Sequence, residues 1–503
     1  MEKRLITVTV SGLSLRAEQG IVLSELLNNE KPCGGRGSCG KCRVTVSGDV
    51  SPVSDREREL LTAEELSRGI RLSCLTRALG DCTVEYTDKG AGEILTDSRL
   101  PDFDLSPAFS RYGAVVDIGT TTLAARLYGT DGRLLAEAAD RNPQTALGAD
   151  VVTRVELSLK GEGAHLAELI LGALDRLLTS LSYKAGIPAS EIDGAVITGN
   201  TVMLSLLVKE STEPFSHAPF AAERLFGETL CAGELGLSSL TPDTQIYLPP
   251  CISAFVGADT VCAIIATELD KREHALLADV GTNGEIVLSA RGRLFASSTA
   301  AGPAFEGAGI EMGMRGTSGA IDKVYFNDGS IQVSVIGGGE AVGICGSGIV
   351  DAVACLLEAE LIEESGYLED ERFNLTDSVY ITQKDIRMLQ SAKSAIAAGI
   401  TTLLQSVEDK PTASPELLVA GGFGSYLNFA NAVRIGLIPS SLSESAEAVG
   451  NCALGGASML LLSQTLRNKA RRIADTAELV ELSGNPIFSE SYMMGMLLAP
   501  TEE

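Results

Sequence analysis

Eleven cysteines are spread unevenly along this chain: five lie before residue 83 and six are scattered through the rest. Four of the first five follow the pattern Cys33-x5-Cys39-x2-Cys42, with Cys74 arriving after 31 intervening residues. The first three sit in Lys31-Pro-Cys-Gly-Gly-Arg-Gly-Ser-Cys-Gly-Lys-Cys42. Four thiolates are what a [2Fe–2S] cluster requires, two to each iron. Glycines between them let backbone N–H groups approach the sulfides without intervening side chains. A structural zinc site is the alternative, but such sites usually use paired Cys-x2-Cys knuckles, and one pair occurs here. Cys82, eight residues beyond Cys74, reads as a buried strand thiol rather than a ligand.

A second kind of chemistry is written twice. Asp117-Ile-Gly119-Thr120-Thr121-Thr122 follows an apolar run from Tyr112 and leads into another, and 162 residues later (279 − 117) Asp279-Val-Gly281-Thr282-Asn283 does the same. A hairpin turn of this composition offers N–H groups and hydroxyls to phosphate oxygens, and its carboxylate can hold Mg²⁺ through water. Two such turns facing one another could clamp a polyphosphate from both sides. Farther on, Leu418-Val-Ala-Gly421-Gly422-Phe-Gly424 reads as a strand running into a glycine turn.

The elements needed to position these groups are legible in outline. Residues 4–10 and 13–17 alternate like two strands around Ser11-Gly12. A short helix with Ile21, Leu23, Leu26 and Leu27 on its apolar side precedes the cysteine loop. A strand over 43–46, a charged helical stretch around 56–66 and a last strand over 82–86 complete a β-grasp ferredoxin pattern. Its five-residue first gap is similar to adrenodoxin-like and related bacterial ferredoxins. Residues 87–111 mix turn formers with acids and read as a flexible linker. The expected domains are 1–86, a ferredoxin-like domain; 112–270, a first ATPase subdomain; and 271–503, a second with a C-terminal tail.

Bulk properties narrow the partners. Acidic residues outnumber basic ones by 66 to 40, a net charge of −26, which opposes nucleic acid and anionic membrane surfaces as partners. No apolar run reaches the roughly 18 residues of a membrane-spanning helix. The N-terminus lacks the apolar stretch of a signal peptide. A cytoplasmic location follows as the expectation, where clustered cysteines suggest metal rather than disulfides.

The two aspartate turns, the Gly421–Gly424 turn and two small-residue stretches, Ile197–Leu206 and Gly450–Leu461, occur in the order of the actin/hexokinase/Hsp70 (ASKHA) superfamily. The resemblance implies an α/β fold in which a β-grasp [2Fe–2S] domain joins a duplicated ASKHA ATPase domain. The two small-residue stretches would be its connecting helices. It also implies that Gly421, Gly422 and Gly424 face adenosine. With Ser298–Gly307, Gly343–Asp351 and the Phe488–Pro500 tail, nearly the whole chain resembles the reductive activators of corrinoid proteins. That family uses ATP to return an inactivated cobalt(II) corrinoid to cobalt(I). The resemblance implies an electron path through Cys33, Cys39, Cys42 and Cys74. It places MgATP on Asp117, Gly119, Thr120, Thr121, Thr122, Asp279, Gly281, Thr282 and Asn283, with Asp117 and Asp279 catalytic. Its implied partners are the corrinoid protein of a methyltransferase system, an upstream low-potential electron donor and a second copy of the chain. A small-molecule kinase with an attached ferredoxin, an activator of radical dehydratases and a non-hydrolysing ATP-sensing carrier are the competing functions. Cys345 reads as a small residue beside nucleotide or a core thiol, and the Met493-Met494-Gly-Met496 run as a packed tail.

Overall fold

The structure, a computed structural model, describes residues 4–10, 13–26, 37, 40, 42–86, 100–327, 329–407 and 413–501. The chain divides into two compact units, one of Met1–Glu93, Thr145–Ala149 and Ala304–Leu389, the other of Ile94–Gln144, Asp150–Pro303 and Gln390–Glu503.

In the first unit, β1 (Leu5–Val10), β2 (Leu13–Glu18), β3 (Arg43–Val50), β4 (Ile70–Leu72) and β5 (Ala78–Tyr86) form one sheet in the order β2-β1-β5-β3-β4. Strand β5 runs parallel to β1 and antiparallel to β3, the crossing that defines a β-grasp. Period-two burial of Ile6, Val8, Val10, Val44, Val46, Cys82 and Val84 supplies its core, so Cys82 is a buried strand thiol as its context suggested. The expected 56–66 helix is two short helices, Asp55–Leu60 and Ala63–Ser67. Ser54…Glu57 and Thr62…Glu65 are consecutive capping boxes, and the second restarts the chain in an extended conformation at Thr62. Leu61, Ile70 and Leu72 pack with Cys42 and Cys74 in a separate apolar cluster.

The second unit holds two sheets of matching plan. Strands β6 (Tyr112–Ile118), β7 (Thr122–Gly129) and β8 (Leu134–Arg141) form an antiparallel meander; β9 (Ile192–Gly199) lies parallel to β6, and β10 (Glu228–Cys231) and β11 (Gln245–Leu248) extend that edge. Strands β12 (His274–Val280), β13 (Gly284–Ala290) and β14 (Arg293–Thr299) repeat the meander. In the first unit follow β15 (Ala320–Asn327), β16 (Ser330–Val335) and β17 (Gly343–Ile344), one small sheet, and the hairpin of β18 (Arg372–Asn374) and β19 (Tyr380–Thr382). Back in the second unit, β20 (Glu416–Ala420) lies parallel to β12, flanked by β21 (Ala446–Gly450), while β22 (Glu478–Leu479) borders β14. The sheet orders β8-β7-β6-β9-β11 and β14-β13-β12-β20-β21 are one motif used twice. That is the duplicated α/β fold the paired aspartate turns implied.

Helices Ala258–Ala266 and Cys452–Leu462 fill the space between these sheets, buried in a shared core with Val115, Val196, Leu277 and Val287. They touch backbone to backbone: a Cβ on Gly456 would lie 1.8 Å from the carbonyl oxygen of Cys262. The expectation that Ile197–Leu206 supplies the partner of the 450–461 stretch is therefore corrected. Residues 197–199 end β9, Thr201–Leu207 is a separate short helix, and Ala258–Ala266 takes the pairing role. Both stretches begin with small residues ahead of an apolar run, and spacing alone does not separate them.

Of the expected linker, residues 87–99 lie outside the described residues. Residues 100–111 are held rather than loose. Ser106 and Ala108 donate backbone hydrogen bonds to Leu462 and Leu461 at 2.8 and 3.0 Å, and Leu100, Phe103 and Phe109 pack on the shared core. In the tail, Leu498 is buried while Met493 and Met494 are more than 60% exposed, so the methionine run is not its packed face.

Candidate functional site

Two of the four predicted cluster cysteines fall among the described residues. Cys42 enters β3 and Cys74 leaves β4, and both are buried and free of disulfide bonds. Their Sγ atoms lie 3.2 Å apart, well beyond the roughly 2.05 Å of a disulfide bond. Two buried thiols that converge to hydrogen-bonding distance, beside Gly37 and Gly40 in left-handed conformations, fit the thiolate half of a [2Fe–2S] cradle. Cys33 and Cys39 lie outside the described residues.

The loop carrying Cys74 is anchored by a buried charge pair. Glu57 accepts hydrogen bonds from Arg71 Nε and Nη2 at 2.9 Å each, from the Leu72 backbone N–H at 3.1 Å and from Thr76 Oγ1 at 3.3 Å. Burial alone would raise the Glu57 pKa. Arg71 and the backbone N–H groups of Ser54 and Leu72 outweigh burial and hold the carboxyl down at about 2.

In the second unit the predicted phosphate residues converge. Asp117 sits at the end of β6, and Gly119–Thr121 form the turn into β7, which Thr122 begins. Asp279 holds the equivalent place on β12, followed by Gly281, Thr282 and Asn283. That turn is closed by the Gly281 N–H donating to Asn283 at 2.9 Å, and the Gly302 N–H donates to the Thr282 carbonyl at the same distance. Asn451, capping the Cys452–Leu462 helix, donates to Asp117 Oδ2 at 3.4 Å. Gly421 (φ +88°) opens the short Gly421–Gly424 helix so close to the second turn that a Cβ there would lie 2.8 Å from Asp279 Oδ1. Gly422 faces open space, and Gly424 abuts Val419.

The structure adds acids that sequence reasoning missed. Asp259, on the first turn of the Ala258–Ala266 helix, faces both Asp117 and Asp279 electrostatically. Glu285 stands opposite Asp279 in the β12–β13 ladder and accepts from Ser298 Oγ at 3.4 Å. All four carboxyls keep partial solvent exposure. Burial, with Asp259 next, pushes Asp117 to about 8 against the Asn451 hydrogen bond. Burial, with Asp259 next, pushes Asp279 to about 7, and burial opposed by Thr260 leaves Asp259 at about 6. Glu285 is raised well above the carboxylate range by burial and these neighbours. Among the described residues no three His, Cys, Asp or Glu side chains are arranged to hold a metal ion by themselves. The signal for Asp259 was its Gly257-Ala-Asp-Thr helix start; for Glu285, its place two residues beyond Asn283.

Cys345 caps the helix Gly346–Glu358, buried, with its Sγ 3.3 Å from Ser347 Oγ. Burial raises its pKa, which keeps the thiol protonated and unreactive.

Comparison with known proteins matches these parts in order. Residues 9–79 match the 2Fe-2S iron-sulfur cluster binding domain, 112–272 the RACo middle region and 273–503 the C-terminal domain of RACo, the ASKHA domain. A corrinoid activation enzyme, RamQ, of Eubacterium limosum is 34% identical over 443 residues, covering 80% of this chain and 73% of its own. The chain belongs to the RACo family. A Co(II) methylated amine-specific corrinoid protein reductase of Methanosarcina barkeri is 26% identical, covering 76% of each chain. The solved structure of a reductive activator for corrinoid, iron-sulfur protein superposes with a TM-score of 0.71 at 26% identity over 99% of both chains. The RACo assignment supports a [2Fe–2S] cluster in the N-terminal domain and enzyme status for the chain. No helix among the described residues is long and apolar enough to cross a membrane.

Proposed function

We propose that this chain is an ATP-dependent reductive activator that passes one electron to a cobalt(II) corrinoid protein, regenerating cobalt(I) for methyl transfer. The observation that carries the reading is a convergent pair of buried thiols in the same chain as a duplicated, carboxylate-lined aspartate cleft, matched along its length by corrinoid activators. Cys33, Cys39, Cys42 and Cys74 would hold the [2Fe–2S] cluster, which supplies one-electron transfer near −400 mV when of plant type. Cobalt(I) corrinoids lie lower, so transfer to the free partner is uphill. Nucleotide binding or hydrolysis must then alter the cobalt's surroundings or trap the reduced product.

Within the cleft, the Gly119–Thr122 and Gly281–Asn283 turns would take the triphosphate from opposite sides. Asp117 and Asp279 would hold hydrated Mg²⁺, a cation that relieves the mutual repulsion of the clustered carboxyls. Asp279 would also orient the attacking water, as the positioning residue does in other nucleotide hydrolases. Gly421, Gly422 and Gly424 would face adenosine, with Gly422 leaving room for it. The backbone contact of Gly456 with Cys262 lets the paired helices act as a hinge as the cleft closes. A low-potential donor would reload the cluster, in a cytoplasmic homodimer. Phosphate release measured with and without a cobalt(II) corrinoid protein tests this reading. Stimulation by the corrinoid protein, lost in Asp279→Ala, is expected. Turnover that depends instead on a sugar or acid substrate would replace it with the kinase reading.

A further inference from the structure

The turn Gly119–Thr122 rests on a layer of polar side chains with no exposure to solvent. Asn142, Gln144 and Arg154 are each fully buried, whereas the turn above them is partly exposed. The layer takes hold of three successive carbonyls. Asn142 Nδ2 donates to Gly119 O at 2.9 Å, Arg154 Nη2 donates to Thr120 O, and the Asn142 backbone N–H donates to Thr121 O at 3.0 Å. It is itself cross-braced. Arg154 Nη1 donates to Gln144 Oε1 at 3.0 Å, Gln144 N–H to Asn142 Oδ1 at 3.0 Å, and Gln144 Nε2 to the Leu166 carbonyl at 2.9 Å. Asp150 caps the helix Val151–Leu157 that carries Arg154, accepting from Thr153 N–H at 2.7 Å.

A peptide group is planar and trans, so the C=O of one residue and the N–H of the next point in opposite directions. With the carbonyls of residues 119, 120 and 121 drawn down into the buried layer, the N–H groups of Thr120, Thr121 and Thr122 are turned toward the other, partly exposed side. Successive N–H groups turned one way form an anion-binding concavity. Under them sits a guanidinium whose charge is permanent and, being buried, weakly screened by salt. From above, Asn200 Nδ2 donates to Thr120 Oγ1 at 3.3 Å and fixes the remaining side of the turn.

We infer that Asn142, Gln144 and Arg154 are positioning residues for the first phosphate turn: they aim its N–H groups, and Arg154 adds the charge, at the terminal phosphates of a nucleoside triphosphate. This rests on the proposed nucleotide reading of the cleft. The layer acts on phosphate and not on the base or ribose, so its loss weakens triphosphate binding selectively. A role confined to holding the fold would instead weaken all ligands together with stability.

The experiment measures Kd for MgATP and for adenosine by calorimetry on the full-length chain, Arg154→Met, Arg154→Lys and Gln144→Met, with folding checked by far-ultraviolet circular dichroism. Arg154→Met is expected to weaken MgATP about tenfold or more, the scale of one lost charge-assisted hydrogen bond, and to leave adenosine within about twofold. Arg154→Lys keeps the charge without the planar fork and falls between. If Arg154→Met does not fold, Gln144→Met decides. It removes the acceptor that orients Arg154 and leaves the charge in place, and the same selective loss is expected. Folded variants that keep wild-type MgATP affinity, or that lose MgATP and adenosine by the same factor, overturn the inference. An unmodified chain that binds no MgATP overturns the nucleotide reading and this inference with it.

Discussion

Replacing Glu57 by glutamine removes one charge from a pair whose other member cannot reach water. Glu57 has no exposure and Arg71 is 6% exposed, and the carboxylate accepts from Arg71, Leu72 and Thr76 at once. The magnitude follows by two routes. The carboxyl is held at about 2 instead of 4.5; at about 1.4 kcal/mol for each tenfold change in acidity, that preference is worth roughly 3 kcal/mol of folding stability. Breaking a buried pair while one charge remains costs about 3–5 kcal/mol. The routes agree, so Glu57→Gln should destabilise the N-terminal domain by about 3 kcal/mol at pH 7. The depressed pKa also gives a pH signature. Its contribution is fully present above pH 4.5 and is lost as the pH falls toward 2. The wild-type advantage should therefore shrink across that window. Urea unfolding of the full chain, followed by bleaching of the cluster absorbance, isolates this domain's transition, and the absence of tryptophan keeps the protein background low. A loss below about 1 kcal/mol, the range of an exposed pair, would refute the reasoning.

Three further outcomes are expected. Cys42→Ala should abolish the visible chromophore and leave MgATP affinity unchanged in calorimetry; a collapse of nucleotide binding would mean that the two sites are not independent. Asp279→Ala should keep the cluster spectrum but lose MgATP-dependent phosphate release by roughly 100-fold or more, and unchanged turnover would remove Asp279 from the site. Gly456→Ala should destabilise the ATPase part by about 3 kcal/mol, because the new methyl would meet the Cys262 carbonyl at 1.8 Å. A thermal midpoint within one degree of wild type would show that the helices separate freely.

What the sequence made legible was whatever is local. The strand alternation around the cysteine loop and each of the two aspartate turns lie within a dozen residues, and those strands and turns stand where they were expected. What escaped depends on chain segments meeting from a distance. Asp259 reads as an ordinary acid near a helix start until the fold brings that helix between two sheets. Arg154 is a lone basic residue on the short helix Val151–Leu157, and only packing shows it fully buried beneath Thr120. The pairing of the 258–266 and 452–462 helices rests on a glycine opposite a carbonyl 194 residues away (456 − 262), which no periodicity announces. Composition reads Met493 and Met494 as part of a packed tail; Leu498 is the residue that buries, because side-chain hydrogen bonds from Gln390, Lys393 and Ser394 to the tail's backbone carbonyls fix how it lies.

The central claim is that nucleotide and cluster act together on cobalt. The anaerobically reduced protein would be mixed with a cobalt(II) corrinoid protein encoded near it, and the cobalt(I) absorbance followed with and without MgATP. Cobalt(I) that forms only with MgATP, and fails to form with Cys42→Ala or Asp279→Ala, is the predicted result. Cobalt(I) forming equally well without nucleotide, or cobalt staying oxidised with several corrinoid proteins while ATP is consumed, would contradict the account.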